Sequence, residues 1–328
     1  MPLPLLLIAG AAVAGTIGVA KTIDAVSTQS KANDINESAQ DIVDTAKEYM
    51  ELSREQSEYA LKSLGQCKVD VLNESITAFI NDFKKIKNIP NSNSNIDDKE
   101  EMMLDTQELE ELSDVAMLAS SLLQGAAGGA VGGAIVAFGA YNAAMALATA
   151  STGTAIAGLS GAAATNATLA FFGGGSIAAG GLGIAGGTAV LGGLVAGPAL
   201  VILGVVASSK ANANLEDARS NLAKAKAFES EIKAAVVEST AIRRTASMLT
   251  RVLISLDLMF KPLVLELHNI ISNSGVDYAQ FSLEERESIR KATSLARAIK
   301  SVLDVSVLTE DGKHNPDAAS VNELLPNV

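Results

Sequence analysis

Residues 115–140 read VAMLASSLLQGAAGGAVGGAIVAFGA and begin a longer segment, residues 115–209, that contains no Asp, Glu, Lys, Arg or His. We call this segment the charge-free stretch. Its 95 residues carry 21 of the 27 glycines of the chain, and the 25 basic and 37 acidic residues all lie outside it. Because about 20 apolar residues already span a bilayer, this composition predicts a Gly/Ala-rich, membrane-active region between two charged segments.

Glycines recur at helical spacing inside the charge-free stretch. Seven of them form one series and two pairs with an interval of four residues. In a membrane, such small-residue faces let helix backbones approach closely, whereas in water each glycine costs a helix about 1 kcal/mol relative to alanine. We therefore expect a hydrophobic helical hairpin, or two hairpins, that self-associates through these glycines. They are Gly125, Gly129, Gly133, Gly183, Gly187, Gly193 and Gly197.

A linker and an acidic helix are predicted over residues 91–114, directly before the charge-free stretch. From residue 97 to residue 114, nine carboxylates stand against the single Lys99, so this segment supplies −8 of the net charge of −12. Two interpretations are open: a solvated helix face, or a pH-sensitive guard on the apolar residues, because crowded carboxylates have raised pKa values and lose charge on acidification. The guard would consist of Asp105, Glu108, Glu110, Glu111 and Asp114.

Apolar residues recur every three or four positions on both sides of the charge-free stretch. This spacing predicts long heptad helices over residues 28–90 and 210–275. We expect them to pair antiparallel in an elongated all-α bundle, with a kink or a break at Pro262, since proline removes a helical hydrogen bond. The apolar positions are Ile35, Ala39, Ile42, Ala46, Tyr49, Leu72, Ile76, Phe79, Phe83 and Ile86 in the first helix, and Leu215, Ala218, Leu222, Ala225, Ile242, Ala246, Leu249, Leu253, Leu256, Phe260, Leu263, Leu267 and Ile270 in the second.

The N-terminal residues 1–27 are predicted to form a hydrophobic helix. Three interpretations of this helix are open: burial in the protein, insertion into a membrane, and cleavage as a signal. We expect no clear secretory signal, because the first basic residue, Lys21, follows the apolar run instead of preceding it.

Two further segments follow the second long helix. Ser282 and Glu285 have the spacing of a capping box, which predicts the start of a helix within residues 276–308. Residues 309–328 are polar and contain two prolines, a composition typical of a flexible tail.

Composition argues against several classes of function. The negative net charge and the isoelectric point near 4.7 disfavour nucleic acid as a partner, since phosphates require a basic surface. One cysteine, Cys67, cannot form an intramolecular disulfide, and two histidines leave little material for a metal site or a Ser-His-Asp triad. We therefore expect neither an enzyme nor a cofactor nor a small-molecule substrate.

One match to a nucleotide-binding motif lies in the charge-free stretch, where residues 181–186 read GLGIAG. The dinucleotide-binding fingerprint GxGxxG also requires a preceding strand and an acidic residue about 20 positions later. The next acidic residue is Glu216, 30 positions after Gly186. We interpret the match as a chance product of the glycine content.

The order of long helix, acidic helix, Gly/Ala-rich apolar segment and long helix resembles the helical pore-forming toxins of the ClyA and non-haemolytic-enterotoxin type, over roughly residues 30–272. In that family an elongated bundle hides a hydrophobic hairpin until membrane contact releases it. Residues 163–176, AATNATLAFFGGGS, look like the glycine-zipper stretch of a group of bacterial proteins. The apolar segment is also similar in character to the hairpin of apolipoprotein L proteins.

Two functions follow as expectations from these features. The first is a bacterial pore-forming or membrane-permeabilising effector, kept in a soluble form before insertion and assembling as a homo-oligomer in the lipid bilayer. The second is a constitutive glycine-zipper membrane protein whose coiled-coil arm serves as a scaffold or interaction surface. Both place the protein at a membrane.

Overall fold

The computed structural model describes most of the charged segments and the beginning of the charge-free stretch. Every regular element within the described ranges is helical, which confirms the all-α prediction. The chain divides into two compact units, one made of Met1–Glu51 with Val195–Ala235 and the other of Leu52–Leu194 with Val236–Val328. The described residues are 17–89, 104, 106–126, 132–140, 215–309 and 313–324.

Six α-helices account for most of these residues. A π-helical turn, Leu72–Ile76, joins α1 to α2, and the hydroxyl of Thr77 donates to the Leu72 carbonyl across it at 2.8 Å. Short 3₁₀ helices, Tyr278–Gln280 and Pro316–Leu324, precede and follow the last α-helix. The α-helices are α1 Ile17–Val71, α2 Thr77–Phe83, α3 Thr106–Ala126, α4 Gly132–Ala140, α5 Leu215–Ser274 and α6 Leu283–Leu303.

Helix α5 continues through Pro262, so the predicted helix break does not occur. A proline inside a helix removes a hydrogen bond and costs about 3 kcal/mol. Phe260 and Val264, two residues away on either side, are both buried in the core. The packing of such neighbours offsets the free-energy cost of the proline. The spacing of apolar residues in the sequence does not indicate how large this packing contribution is.

In the second unit, the chain of α1–α2 and that of α5 run parallel. Their side-chain hydrogen bonds join residues whose numbers differ by 182 to 189 throughout. The difference in residue number between bonded residues stays nearly constant only when two segments run in the same direction. The predicted antiparallel pairing of the long helices is therefore wrong. The bonded pairs are Ser57 with Ser239, Gln56 with Arg243, Glu74 with Lys261, Asp82 with His268 and Asn88 with Asp277.

Helices α3 and α4 run in the opposite direction to α1–α2. The Lys84 ammonium, just after α2, donates to the Ser113 hydroxyl on α3 at 3.1 Å. Gly139 on α4 comes later in the chain but lies against Leu61, earlier on α1. The beginning of the charge-free stretch therefore supplies the descending segment between the two parallel ones.

Helix α6 also descends, antiparallel to α5. The Ser288 hydroxyl near the start of α6 donates to the Glu266 carboxylate near the end of α5 at 2.6 Å. The predicted capping box is confirmed: the Glu285 amide donates to the Ser282 hydroxyl at 3.2 Å, and the Ser282 amide donates to the Glu285 carboxylate at 2.7 Å. The described part of the second unit is therefore a bundle of four segments that run up, down, up and down.

One hydrophobic core joins these four segments. The predicted apolar positions from Leu72 to Ile86 are all buried, and so are those from Ile242 to Ile270 except Leu263, which is half-buried. At its centre the Phe79 ring lies 5.1 Å from that of Phe83 and 5.4 Å from that of Phe260. Periodicity thus identified the buried faces correctly while leaving the direction of pairing open.

The described part of the first unit consists of residues 17–51 of α1 and 215–235 of α5. Tyr49, predicted to lie in the seam, is 66 % exposed, and Met50 is buried instead. The Asn221 amide donates to the Asn36 side-chain oxygen at 3.0 Å, a polar pair of the kind that fixes helix register. The other buried positions are Ala32, Ala39, Val43 and Ala46 on α1, and Ala218, Ala225, Phe228 and Ile232 on α5.

The chain after α6 packs against the bundle. The His314 ring nitrogen Nε2 lies 2.8 Å from the Thr245 hydroxyl, and the His314 amide donates to the Glu238 carboxylate at 3.2 Å. Ala318 and Val321 are buried. Residues 313–324 thus contact the bundle through two apolar side chains and a histidine, contacts that their polar composition did not indicate.

Parallel pairing predicts a specific cross-link. In a Cys67→Ala background, Glu74→Cys with Lys261→Cys should react with a short bis-maleimide linker, because the native side-chain atoms lie 3.4 Å apart. The control pair, Glu74→Cys with Arg243→Cys, should not react, since 18 residues along a helix correspond to about 27 Å. Peptide mass spectrometry reads out both, and a product from the control pair alone would contradict the parallel register.

Candidate functional site

The structure describes only part of the predicted membrane-active region. Gly125 lies in α3 and Gly133 in α4. The other predicted packing glycines, Gly129, Gly183, Gly187, Gly193 and Gly197, lie outside the described residues, as do Asp105 and the GLGIAG motif. The contacts of the site can therefore be followed from Thr106 to Ala140, with one gap.

The first residues of the charge-free stretch form part of the bundle core. Apolar side chains from α3 and α4 are buried and join the hydrophobic cluster of the second unit. Charged, amphipathic helices surround them, so this part of the stretch is shielded from water without a membrane. These side chains are Val115, Ala116, Leu118, Ala119, Val136, Phe138 and Ala140.

Helix α4 touches α1 backbone to backbone at Gly65 and Gly139. A Cβ atom added to Gly65 would overlap the carbonyl oxygen of Ile135, and one added to Gly139 would overlap that of Leu61. Neither glycine was predicted to be a packing residue. A signal was present for Gly65, because it is the only glycine between Gly18 and Gly125 and interrupts a strongly helical sequence.

The C-terminal end of α4 is held by the chain that follows α6. The Ala140 carbonyl accepts hydrogen bonds from the amides of Val307 at 2.8 Å and Leu308 at 3.1 Å. Carbonyls in the last turn of a helix lack partners within the helix, so these two bonds satisfy a group that would otherwise be buried without one. They tie the charge-free stretch to the end of the bundle.

Beside this contact, Lys68 on α1 is 1 % exposed. Its ammonium lies 3.5 Å from each of the carbonyl oxygens of Leu303 and Val305 and 5.8 Å from the centre of the Phe138 ring. Burial lowers the pKa of Lys68 from 10.5 to about 7, while the Asp304 carboxylate acts in the opposite direction. Lys68 was not among the predicted site residues, although it occupies an apolar position in the series Leu61, Leu64, Lys68, Leu72.

Two of the predicted guard residues pair with basic residues on α6. The Arg297 guanidinium donates to both oxygens of Glu108, at 3.1 and 2.8 Å, and the Lys300 ammonium lies 2.9 Å from the Glu111 carboxylate. The hydrogen bond from Lys300, together with one from Gln107, lowers the pKa of Glu111. The guard hypothesis required a raised pKa, so it is wrong for Glu111, whose partner could not be identified from the crowding along the chain.

Glu110 and Asp114 lie on a different side of α3 from these ion pairs. Both are exposed, as the solvated-face interpretation of the acidic segment expects. The four predicted guard residues that the structure describes therefore do not form one cluster.

The remaining reactive groups have structural surroundings. Burial, with the nearby carboxylates of Asp70 and Asp257, raises the pKa of the Cys67 thiol to about 11, so the thiol is a poor nucleophile at neutral pH. The His268 ring nitrogen Nδ1 lies 2.9 Å from the Asp82 carboxylate. Among the residues whose placement is known, no three His, Cys, Asp or Glu side chains are arranged to hold a metal ion.

None of the helices within the described ranges combines the length and the apolar character needed to cross a membrane. Comparison with protein-family models, with curated proteins and with solved structures found no match to this chain. The likeness to helical pore-forming toxins therefore stays a resemblance in the order of segments.

The contact between Gly65 and Gly139 predicts that alanine destabilises the protein at either position. Alanine is the better helix former by about 1 kcal/mol, but overpacking of a tight contact costs about 1–3 kcal/mol. Gly65→Ala and Gly139→Ala should each lower the free energy of unfolding in urea. Both substitutions crowd the same contact between α1 and α4. The double variant should therefore lose less free energy of unfolding than the sum of the two single losses. A variant more stable than the parent would refute the close approach.

The Glu111–Lys300 pair predicts an acid-sensitive contribution to stability. A carboxylate with a lowered pKa stabilises the fold above its ordinary value of 4.5, and this contribution is lost as the pH falls through the lowered value. The side chain of Glu111 is 44 % exposed, so Glu111→Gln should cost less than about 1 kcal/mol at pH 7 and less still at pH 2.5, where protonation weakens the pair. Glu110→Gln is the matched control and should change neither urea midpoint. An equal loss at both pH values would show that Glu111 acts without its charge.

Proposed function

We propose that this protein is a membrane-inserting, self-associating helical protein that permeabilises membranes. It stores the beginning of its charge-free stretch in a helical bundle before insertion. The observation that supports this most is the burial of apolar residues of α3 and α4 under charged, amphipathic helices. Exposing apolar side chains to water is unfavourable in free energy, and the bundle buries those of α3 and α4.

The proposal includes the elongated heptad bundle and the glycine-lined hairpins that the sequence predicts. Residues 115–209 would insert and associate through their glycines, as apolar helices do where water no longer drives their contact. The buried contact of Gly65 with Gly139 supports the role of glycine in this protein, since the same close approach of backbones would join helices in lipid.

A second candidate is a constitutive membrane protein with the bundle as a scaffold. The ion pair of Glu108 with Arg297 and the two hydrogen bonds to the Ala140 carbonyl favour it. They fix both ends of the α3–α4 segment, as a permanent part of a scaffold requires.

A locking experiment separates the two candidates. In a Cys67→Ala background, Glu111→Cys with Lys300→Cys is joined by a short bis-maleimide linker, which holds α3 on α6. Purified protein is then added to dye-filled vesicles of phosphatidylcholine and phosphatidylglycerol. We expect the unlinked protein to release dye and the linked protein to release at least tenfold less, because α3 and α4 must leave the bundle.

The matched control locks a pair that need not separate. Glu266→Cys with Ser288→Cys holds the α5–α6 hairpin, where the native side chains are hydrogen-bonded at 2.6 Å, and linked protein should still release dye. Equal release from both linked proteins would contradict storage in the bundle. Recovery of the protein in membranes alone, with no release from added protein, would support the scaffold instead.

A further inference from the structure

Lys68 occupies a junction of three elements in the second unit. It projects from α1, the centre of the Phe138 ring of α4 lies 5.8 Å from its Nζ atom, and the carbonyl oxygens of Leu303, at the end of α6, and of Val305, just after it, lie 3.5 Å from the same atom. Lysine is almost never fully buried in proteins, and its long side chain normally carries the ammonium out to water. A lysine that is 1 % exposed can reach water only when one of the covering elements moves.

Of these covering elements, α4 is the shortest within the described residues. It has nine residues, and it is fixed to α1 by a backbone contact at Gly65 and to the chain after α6 through the Ala140 carbonyl. By contrast, α1 and α6 are 55 and 21 residues long. Removal of α4 takes away the Phe138 ring, which lies over the Lys68 nitrogen.

We propose that Lys68 is a proton-linked switch that controls the docking of α4: the bundle closes over the neutral amine, and α4 leaves the junction when Lys68 takes up a proton. This inference concerns the bundle itself and holds whether or not the protein inserts into membranes. It gives the charge-free stretch a release step that depends on a single side chain.

Among the described residues, the charged groups that act on Lys68 are Asp304 and Cys67. Asp304, one residue beyond α6, and the neighbouring Cys67 on α1 both favour its protonated form, but burial outweighs them and lowers its pKa to about 7. Asp304 is itself held by Lys300 at 2.7 Å. Helix α4 contains no titratable residue, and on α5 the groups Asp257 and Lys261 act on Cys67.

The direction of the pH effect follows from the two protonation equilibria. With α4 released, the amine returns to its ordinary pKa of 10.5, so the released state binds more protons than the closed state between pH 7 and 10.5. Closure is therefore favoured as the pH rises through this range, by up to tenfold per unit. Below about pH 7 both states are protonated, and the effect levels off. The released fraction should rise about 100-fold from pH 9 to pH 6.

A buried thiol on α4 measures the released fraction. In a Cys67→Ala background, Val136→Cys places a thiol at a position that is 4 % exposed in the native protein. Its rate of maleimide labelling is divided by that of an exposed cysteine, Lys62→Cys, at the same pH. This ratio should rise about 100-fold from pH 9 to pH 6 in the protein with Lys68.

Two substitutions test whether Lys68 causes the pH dependence of labelling. Lys68→Met keeps the volume without a titratable group, so its labelling ratio should be low and independent of pH. Lys62→Met, an exposed lysine on the same helix, should keep the full pH dependence. A flat ratio in the parent protein would overturn the proposal even if Lys68→Met fails to fold, and so would an unchanged pH dependence in a folded Lys68→Met variant, verified by circular dichroism.

Discussion

The second unit depends on the close approach of two backbones, where Gly65 on α1 meets Gly139 on α4. Interior packing leaves few voids, so the distance between these helices decides which side chains can lie beside them. The contact brings Phe138 over Lys68 and aligns the Ala140 carbonyl with the amides after α6. A larger residue at either glycine would separate the helices and disrupt both arrangements at once.

The α3–α4 segment is held at its two ends by interactions of different kinds. At the α3 end, Glu108 and Glu111 pair with Arg297 and Lys300, and such partly exposed ion pairs are weak and screened by salt. At the α4 end, steric fit and buried hydrogen bonds hold the chain, and salt affects them little. The two ends of one segment therefore respond to different conditions, with the lysine at the junction adding a dependence on pH.

Sequence periodicity could predict the helices and their buried faces but not how they meet. A heptad seam such as Leu249, Leu253, Leu256 buries the same face beside a parallel or an antiparallel partner, so direction was not encoded in it. Gly65 and Lys68 stood out locally, one as a lone glycine and the other as a charge at an apolar position. Their partner, α4, lies about 70 residues away in the sequence, and only the fold brings it there. The absence of charges correctly predicted that the beginning of the charge-free stretch is buried. It did not show whether a membrane or the bundle itself buries it.

Parallel pairing of the long helices assigns a structural role to the residues between them. Two parallel segments in one bundle need a descending segment to connect them, and α3 with α4 provides it. The beginning of the charge-free stretch is thus an integral helix of the bundle as well as a candidate for insertion. If it left, the π-helical turn Leu72–Ile76 and α2 would lose the contact with α3 that helps to bury them, and this exposed area would oppose release. Insertion of residues 115–140 therefore requires a membrane contact that replaces the whole of this burial.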